Sequence, residues 1–380
     1  MDQGTLVPFL AGTLIPSFLV SWGAVWLLRP LALRWGLVDR PGLRKVHTTP
    51  TPMGGGLAIW LGVMLPFAVG QILLMVVSAE GLEHSVVGRF IPEFARAHLS
   101  GLRAQTPALW ILLFAGTLMM LTGLIDDWRG LSWKTRLGVQ FLVAGVCVIW
   151  QGWRLTSFID IPWITWVLSA LWIVALINSF NMLDNMDGLS SGVAAIAAAM
   201  LATLLLLSPD PRSHQPQLFV AGFLLVIVGA LMGFLVHNRP PAKIFMGDAG
   251  SYFVGFSIAV TTLLATFTEY HGTHPHAVLA PLCVLAVPLY DMLSVIWIRL
   301  REGRSPFEGD KSHFSHRLVE LGLTKGQAVL TIYLTTATCG LGALLLHQVD
   351  LSGAIIIGCM IVSVLGLIAI LESTARRRLR

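Results

Sequence analysis

Apolar runs of about twenty residues recur along the chain between short polar stretches, a length and period that mark bilayer-spanning helices. They predict helices over residues 5–28, 53–78, 107–125, 136–153, 162–180, 189–208, 217–236, 250–268, 276–298, 326–348 and 352–371. Eleven spans put the two termini on opposite sides of a membrane. No polar stretch is long enough to form a separate soluble domain and no internal repeat is visible, so residues 1–380 read as a single all-α, polytopic helix bundle.

Composition sharpens this picture. Hydrophobic residues make up 55% of the 380 positions and charged residues only 12%, with a mean hydropathy of +0.76. An ordinary soluble domain carries about 25% charged residues, so a soluble enzyme is excluded. The net charge of +5 does not point to nucleic acid, because the basic residues are scattered among the polar connections. Their distribution instead sets an orientation. Arg29, Arg34, Arg40, Arg44, Lys45, Arg129, Lys134, Arg136, Arg239, Lys243, Arg299, Arg301, Arg304, Lys311, Arg317, Lys325 and the arginines of the tail fall on one side, 20 of the 25. Arg89, Arg96, Arg103, Arg154 and Arg212 fall on the other. The expectation is a multi-pass protein of a bacterial-type inner membrane, N-terminus outside and C-terminus cytoplasmic. Met1-Asp2-Gln3-Gly4 lacks the positive start of a cleaved signal peptide, so the first run reads as a retained helix. The four cysteines lie in apolar segments without paired spacing, which indicates neither a disulfide framework nor a thiolate metal site.

Carboxylates near hydrocarbon are costly, so their positions carry information. Asp126, Asp127, Asp184, Asp187 and Asp248 all fall on the expected cytoplasmic side, which favours one shared polar site over scattered solvated acids. The adjacent Asp126-Asp127 pair either raises the pKa of one member or demands a cation, unless it is a solvated loop end. With no His or Cys beside it, Mg²⁺ or Mn²⁺ is the fitting cation. Asn178, Asn181, Asp184 and Asp187 recur every third position before Gly188; they converge only if the helix tightens or unwinds there, and the plain alternative is a capped helix end. Phe245-Met246-Gly247-Asp248-Ala249-Gly250-Ser251 brackets an acid with glycines at a helix mouth, which suits either close approach to a phosphate or a simple N-cap. Pro50-Thr51-Pro52-Met53-Gly54-Gly55-Gly56 reads as a rigid turn after the basic Arg44-Lys45-Val46-His47. His313-Phe314-Ser315-His316-Arg317 lacks a third ligand for zinc and fits phosphate recognition better.

In this order these motifs resemble, over about residues 40–330, the polyprenyl-phosphate N-acetylhexosamine-1-phosphate transferase family. The resemblance implies an integral membrane enzyme that moves a sugar 1-phosphate from a UDP-sugar donor to a polyprenyl phosphate acceptor, with Mg²⁺ and release of UMP, its active site facing the cytoplasm. It implies Asp248, Asp126 and Asp127 as catalytic, with Asp248 the principal metal ligand, Asp127 a second, and the Asp126-Asp127 pair a metal support, a base for the lipid phosphate or a transient nucleophile. It assigns Asn181, Asp184 and Asp187 to the nucleotide site, Phe245 and Gly247 to the neighbourhood of the uracil, and His313, His316 and Arg317 to the sugar or pyrophosphate. Lys45 and His47 match a basic approach to the site. Homodimerisation is a further family-level expectation.

Two positions depart from the family pattern: Gly130 stands where a third acid is usual, and Ser315 where a histidine is usual. The stretch His316 to Leu323 resembles the N-acetylglucosamine branch more than the branch that uses UDP-N-acetylmuramoyl-pentapeptide. Alternatives are an inactive homologue and a secondary transporter for an anionic solute. Asp291, beside Pro288 in the ninth apolar run, is the acid on which transport would turn; otherwise it lines a lipid groove or is a buried, hydrogen-bonded helix residue.

Overall fold

The computed structural model describes residues 3–40, 50–80, 88, 91, 96, 98–155, 161–208, 210, 215–267, 274–310 and 312–378. Lys45, His47 and Lys311 lie outside them. The described chain is almost entirely helical: α1 (Gln3–Arg34), α2 (Gly55–Glu80), α3 (Leu99–Arg129), α4 (Trp133–Ile149), α5 (Pro162–Leu183), α6 (Leu189–Leu207), α7 (Leu218–Asn238), α8 (Gly247–Leu264), a 3₁₀ turn (Pro275–Leu279), α9 (Ala280–Val284), α10 (Ala286–Arg301), α11 (Phe314–Glu320), α12 (Lys325–Leu345) and α13 (Leu351–Arg378).

Each of the eleven apolar runs falls on a helix. Eight described helices are long and apolar enough to cross a membrane, and nine if the pair Pro275–Val284 and Ala286–Arg301, bent by 65°, is one span. The other two runs form α4, of 17 residues, and α8, of 18 residues with a polar first turn. The reason α8 can open on Gly-Asp-Ala-Gly-Ser is its position. Every side chain from Ala249 to Thr262 is buried, so this helix faces protein rather than lipid.

Small residues let backbones approach around α8. A Cβ on Gly123 of α3 would lie 2.2 Å from the Asp248 carbonyl oxygen, and one on Gly56 of α2 would lie 2.2 Å from Gly250 N. Gly255 meets α5 in the same way, 2.7 Å from Ile177 Cα. Three neighbouring helices are thus held at backbone distance around α8, and the ends of α3 and α5 are drawn to its N-terminus.

The expected turn at residues 50–56 contains a strand. Thr51–Pro52 (β2) pairs antiparallel with Val38–Asp39 (β1), and Met53 bridges to Phe245. Phe245 N donates to Pro52 O at 2.9 Å, and Gly55 N donates to Phe245 O at 3.0 Å. These backbone bonds tie the entry to α2 onto the segment leading into α8. Sequence pattern hid them because two-residue strands have no period to read.

Candidate active site

At the end of the bundle where α3, α5 and α7 finish and α8 and α12 begin lies a cavity of about 370 Å³. Six aspartates line it: Asp39, Asp127, Asp184, Asp187, Asp248 and Asp310. His313, His316 and Lys325 face them. Phe245, Met53, Met186 and Val329 supply the apolar surface.

Asp127 occupies the last turn of α3, and its two oxygens accept the N–H groups of Asp248 (2.9 Å) and Ala249 (3.1 Å). The free N–H groups at the start of α8 are therefore capped by a carboxylate of the protein itself, rather than left open for a phosphate. Gly247 makes this fit. Its φ is +70°, and a Cβ there would lie 2.5 Å from Asp127 Oδ2. Asp248 then projects from the first turn of α8, with Oδ1 accepting from Asn181 Nδ2 at 2.6 Å. Asn181 also reaches Ser251 Oγ at 3.1 Å, so one amide positions both residues.

Asp126 sits next to Asp127 but does not line the cavity. It is buried and accepts from Leu131 N (2.7 Å), Tyr252 Oη (2.9 Å) and Arg136 (3.2 Å). Arg136 also lies 4.0 Å from Asp248 Oδ2. Adjacent helical residues point about 100° apart, which is why one acid of the pair faces the cavity and the other anchors α4 and α8. Gly130 has open space around its Cα, a φ of +68°, and an N–H that closes the end of α3 on Asp126 O at 2.8 Å; it acts as a helix terminator.

The helix of Asn178 and Asn181 ends at Leu183, and the turn that follows carries Asp184 and Asp187 into the cavity. Asn178 does not join them: its amide donates to Gln140 Oε1 of α4 at 2.7 Å. Burial and the neighbouring Asp127 and Asp187 charges push the Asp184 carboxyl up to about 7, against the opposing pull of the Gly247 N–H. Asp187 accepts from Ala242 N at 2.9 Å, and Gly188 N donates to Asn238 Oδ1 at 3.0 Å. Gly188, with a φ of +75°, supplies the reversal that the polar spacing required.

On the opposite wall, His313 and His316 line the cavity, whereas Arg317 does not. Arg317 is buried and turned inward, 2.9 Å from Glu372 of α13, and donates to Ser312 O and Ser294 Oγ, each at 2.8 Å. The expected phosphate contact is thus replaced by a packing role, since the arginine sits on the inner face of α11. Ser315 is likewise buried and donates to Asn185 Oδ1. Asp291 is fully buried and bonded to the backbone of α11, so it neither lines a groove nor stands open for proton-coupled transport.

Sequence reasoning missed Asp39, Asp310 and Lys325. Asp310 accepts from Ser312, Arg299 and Arg304, which hold its carboxyl well below the usual carboxylate range although burial opposes them. Its proximity to the histidine motif was the available signal. Asp39 carried none, because only the β1–β2 pairing brings it to the cavity.

Residues 109–266 match the pattern of glycosyl transferase family 4. Over 364 residues the chain is 33% identical to the decaprenyl-phosphate N-acetylglucosaminephosphotransferase of Mycolicibacterium smegmatis, covering 90% of this chain and 84% of the relative. The chain belongs to this family. It is also 29% identical over 347 residues to a probable undecaprenyl-phosphate N-acetylglucosaminyl 1-phosphate transferase of Bacillus subtilis, covering 88% of this chain and 85% of that one. A third relative, the undecaprenyl-phosphate alpha-N-acetylglucosaminyl 1-phosphate transferase of Yersinia pestis, is 29% identical over 336 residues, 85% of this chain and 80% of its own. The family match covers α3 to α8, the helices that carry Asp127, Asp184 and Asp248, while the histidine wall and α12 lie beyond it.

The donor set suits a hard divalent cation. Asp127, Asp184 and Asp248 offer carboxylate oxygens in one cavity, without thiolates. Among the described residues no three acidic, histidine or cysteine side chains already form a closed metal cage. Mg²⁺ characteristically takes only one or two carboxylates and completes its shell with water and phosphate oxygens, so an open acidic wall is compatible with it.

Proposed function

We propose that the protein transfers N-acetylglucosamine 1-phosphate from UDP-N-acetylglucosamine to a polyprenyl phosphate, undecaprenyl phosphate in the first instance, as an early membrane step of cell-envelope polysaccharide synthesis. The carrying observation is the cavity that sets Asp127, Asp184 and Asp248 against His313, His316 and Lys325. An acidic wall repels a pyrophosphate unless a cation lies between them, and a basic wall opposite can hold the outer oxygens. Asp248, with Asp127, would hold Mg²⁺, or Mn²⁺ in its place, and the ion would supply charge neutralisation for the pyrophosphate.

The acceptor phosphate oxygen forms a bond to the β-phosphorus of the donor, and the bond from that phosphorus to the bridging oxygen breaks, so UMP leaves with the bridging oxygen. A phosphate monoester dianion is nucleophilic near neutral pH without a base. Asp127 caps the helix that carries Asp248 and so positions it, while Asn181 fixes the Asp248 carboxylate by its amide. Phe245 lines the cavity beside Gly247 and offers a face on which a uracil can stack. In a bacterial-type inner membrane the cavity faces the cytoplasm, a reading supported by the basic-residue count along the sequence, which assigns 20 of 25 lysines and arginines to the side of Asp127, Asp184 and Asp248.

The test is UMP release by the purified protein with undecaprenyl phosphate and either UDP-N-acetylglucosamine or UDP-N-acetylmuramoyl-pentapeptide. Lipid-dependent release from the first donor alone, lost with EDTA and regained with Mg²⁺, is expected. Release from the pentapeptide donor instead, or silence with both from folded protein, overturns the reading.

A further inference from the structure

Asp291 stands on α10, six residues after the bend at Leu285, and is fully buried. A carboxylate taken out of water needs donors for its oxygens. Phe314 N donates to Oδ1 at 2.6 Å, and His313 Nδ1 lies 3.0 Å from Oδ2. Both donors come from the start of α11, so a single side chain fastens that helix and orients the ring beside it. His313 is itself mostly buried, yet it lines the cavity. With Nδ1 engaged by Asp291, Nε2 is the ring nitrogen left for the cavity.

We propose that Asp291 is a positioning residue for sugar-phosphate transfer: it holds the proton of His313 on Nδ1 and aims Nε2 at a phosphate oxygen of the bound substrate. The inference rests on the transferase reading above. A carboxylate only accepts hydrogen bonds, so the proton shared with His313 belongs to Nδ1. Whichever charge the ring carries, the same edge is presented, as an acceptor when neutral and as a donor when protonated. An asparagine at 291 has one accepting oxygen for two donors, and it frees the ring to take the other tautomer. This role also accounts for a carboxylate kept in an apolar helix, where an unassigned acid is a liability.

The test compares D291N, H313Q and the double variant at saturating donor and acceptor, with UMP release normalised to folded protein. D291N and H313Q each lower kcat by about 10- to 100-fold with KM for UDP-N-acetylglucosamine little changed. The double variant falls no lower than H313Q alone, and D291E, which keeps an acceptor, recovers part of the loss. Losses that multiply in the double variant, or a D291N that keeps its kcat, overturn the proposal. A second measurement uses the unaltered protein: nitrogen-15 NMR of its 11 histidines, with H313Q identifying the ring. The expected spectrum has His313 protonated at Nδ1, with Nε2 shifting on addition of UMP and Mg²⁺; a proton on Nε2 alone overturns the proposal even if D291N fails to fold. Absence of UMP release from UDP-N-acetylglucosamine by the unaltered protein counts against the transferase reading, whereas the tautomer bears on Asp291.

Discussion

At the scale of single residues, the acids of the cavity differ in what holds them. Asp248 points into the cavity with one oxygen on Asn181, so D248N is expected to lower UMP release by about 100- to 1000-fold while the folded yield is unchanged, measured on size-selected protein. Asp184 carries a pH dependence. Its carboxyl is raised from 3.8 to about 7, so the folded protein holds a proton that the unfolded chain releases. The stability from this group is full below about pH 4 and is lost progressively as pH rises to about 7. In the proposed Mg²⁺ site, where Asp184 lies beside Asp127 and Asp248, a divalent cation would take the place of the proton. Thermal unfolding without divalent cations is therefore expected to shift down between about pH 5 and about pH 7 and to level off above, and excess Mg²⁺ to remove most of that shift. Across the same interval the Mg²⁺ concentration for half-maximal UMP release falls, because protons compete less. A midpoint independent of pH would count against ionised Asp184 in the site. These acids stood out in the sequence because hydrocarbon makes acids rare; Arg317 shows the limit of that reasoning, since a basic residue beside two histidines looks like a phosphate ligand and only its inward face shows otherwise.

At the scale of elements, the site depends on how helix ends are pinned. The start of α8 is fastened to the end of α3 through Gly247 and Asp127, with a φ of +70° and no room for a side chain. Gly247→Ala adds both strain and a clash, an expected cost of about 1–3 kcal/mol in stability and a larger loss of UMP release, since Asp248 moves with the turn. The helix of the histidine motif is pinned elsewhere, by Arg317 to Glu372 at 2.9 Å, with Tyr290 Oη donating to the same Glu372 oxygen at 3.1 Å. E372A strands a buried guanidinium, so α13 should loosen from α11 at a cost of about 3–5 kcal/mol, read as a lower unfolding temperature. Unchanged unfolding would show that α13 does not brace the site. Apolar length and period made the helices legible, but the sequence held no sign that the last helix reaches the histidine wall, because a partner 55 residues away leaves no periodic trace.

For the whole molecule, the cavity gathers residues from Asp39 to Val329 at one end of the bundle. Single cysteines placed at Arg304 and at Arg154, on opposite sides by the basic-residue count, are expected to react with an impermeant thiol reagent from opposite faces of sealed vesicles; labelling of both from one face would refute the assigned orientation. Helical class, membrane residence, the acids and the resemblance to a transferase family were determined by the chain alone, because apolar length, charge asymmetry and motif spacing are local properties written residue by residue. Tertiary structure alone decided which acid of the pair at 126 and 127 faces the cavity, that Asn178 turns away to Gln140, and that Asp291 supports His313. These are outcomes of long-range packing around α8, where glycines bring backbones together and fix each side chain's direction. Spacing along the chain constrains such directions only within one helix, so partners brought together from different helices had to be seen in the folded protein.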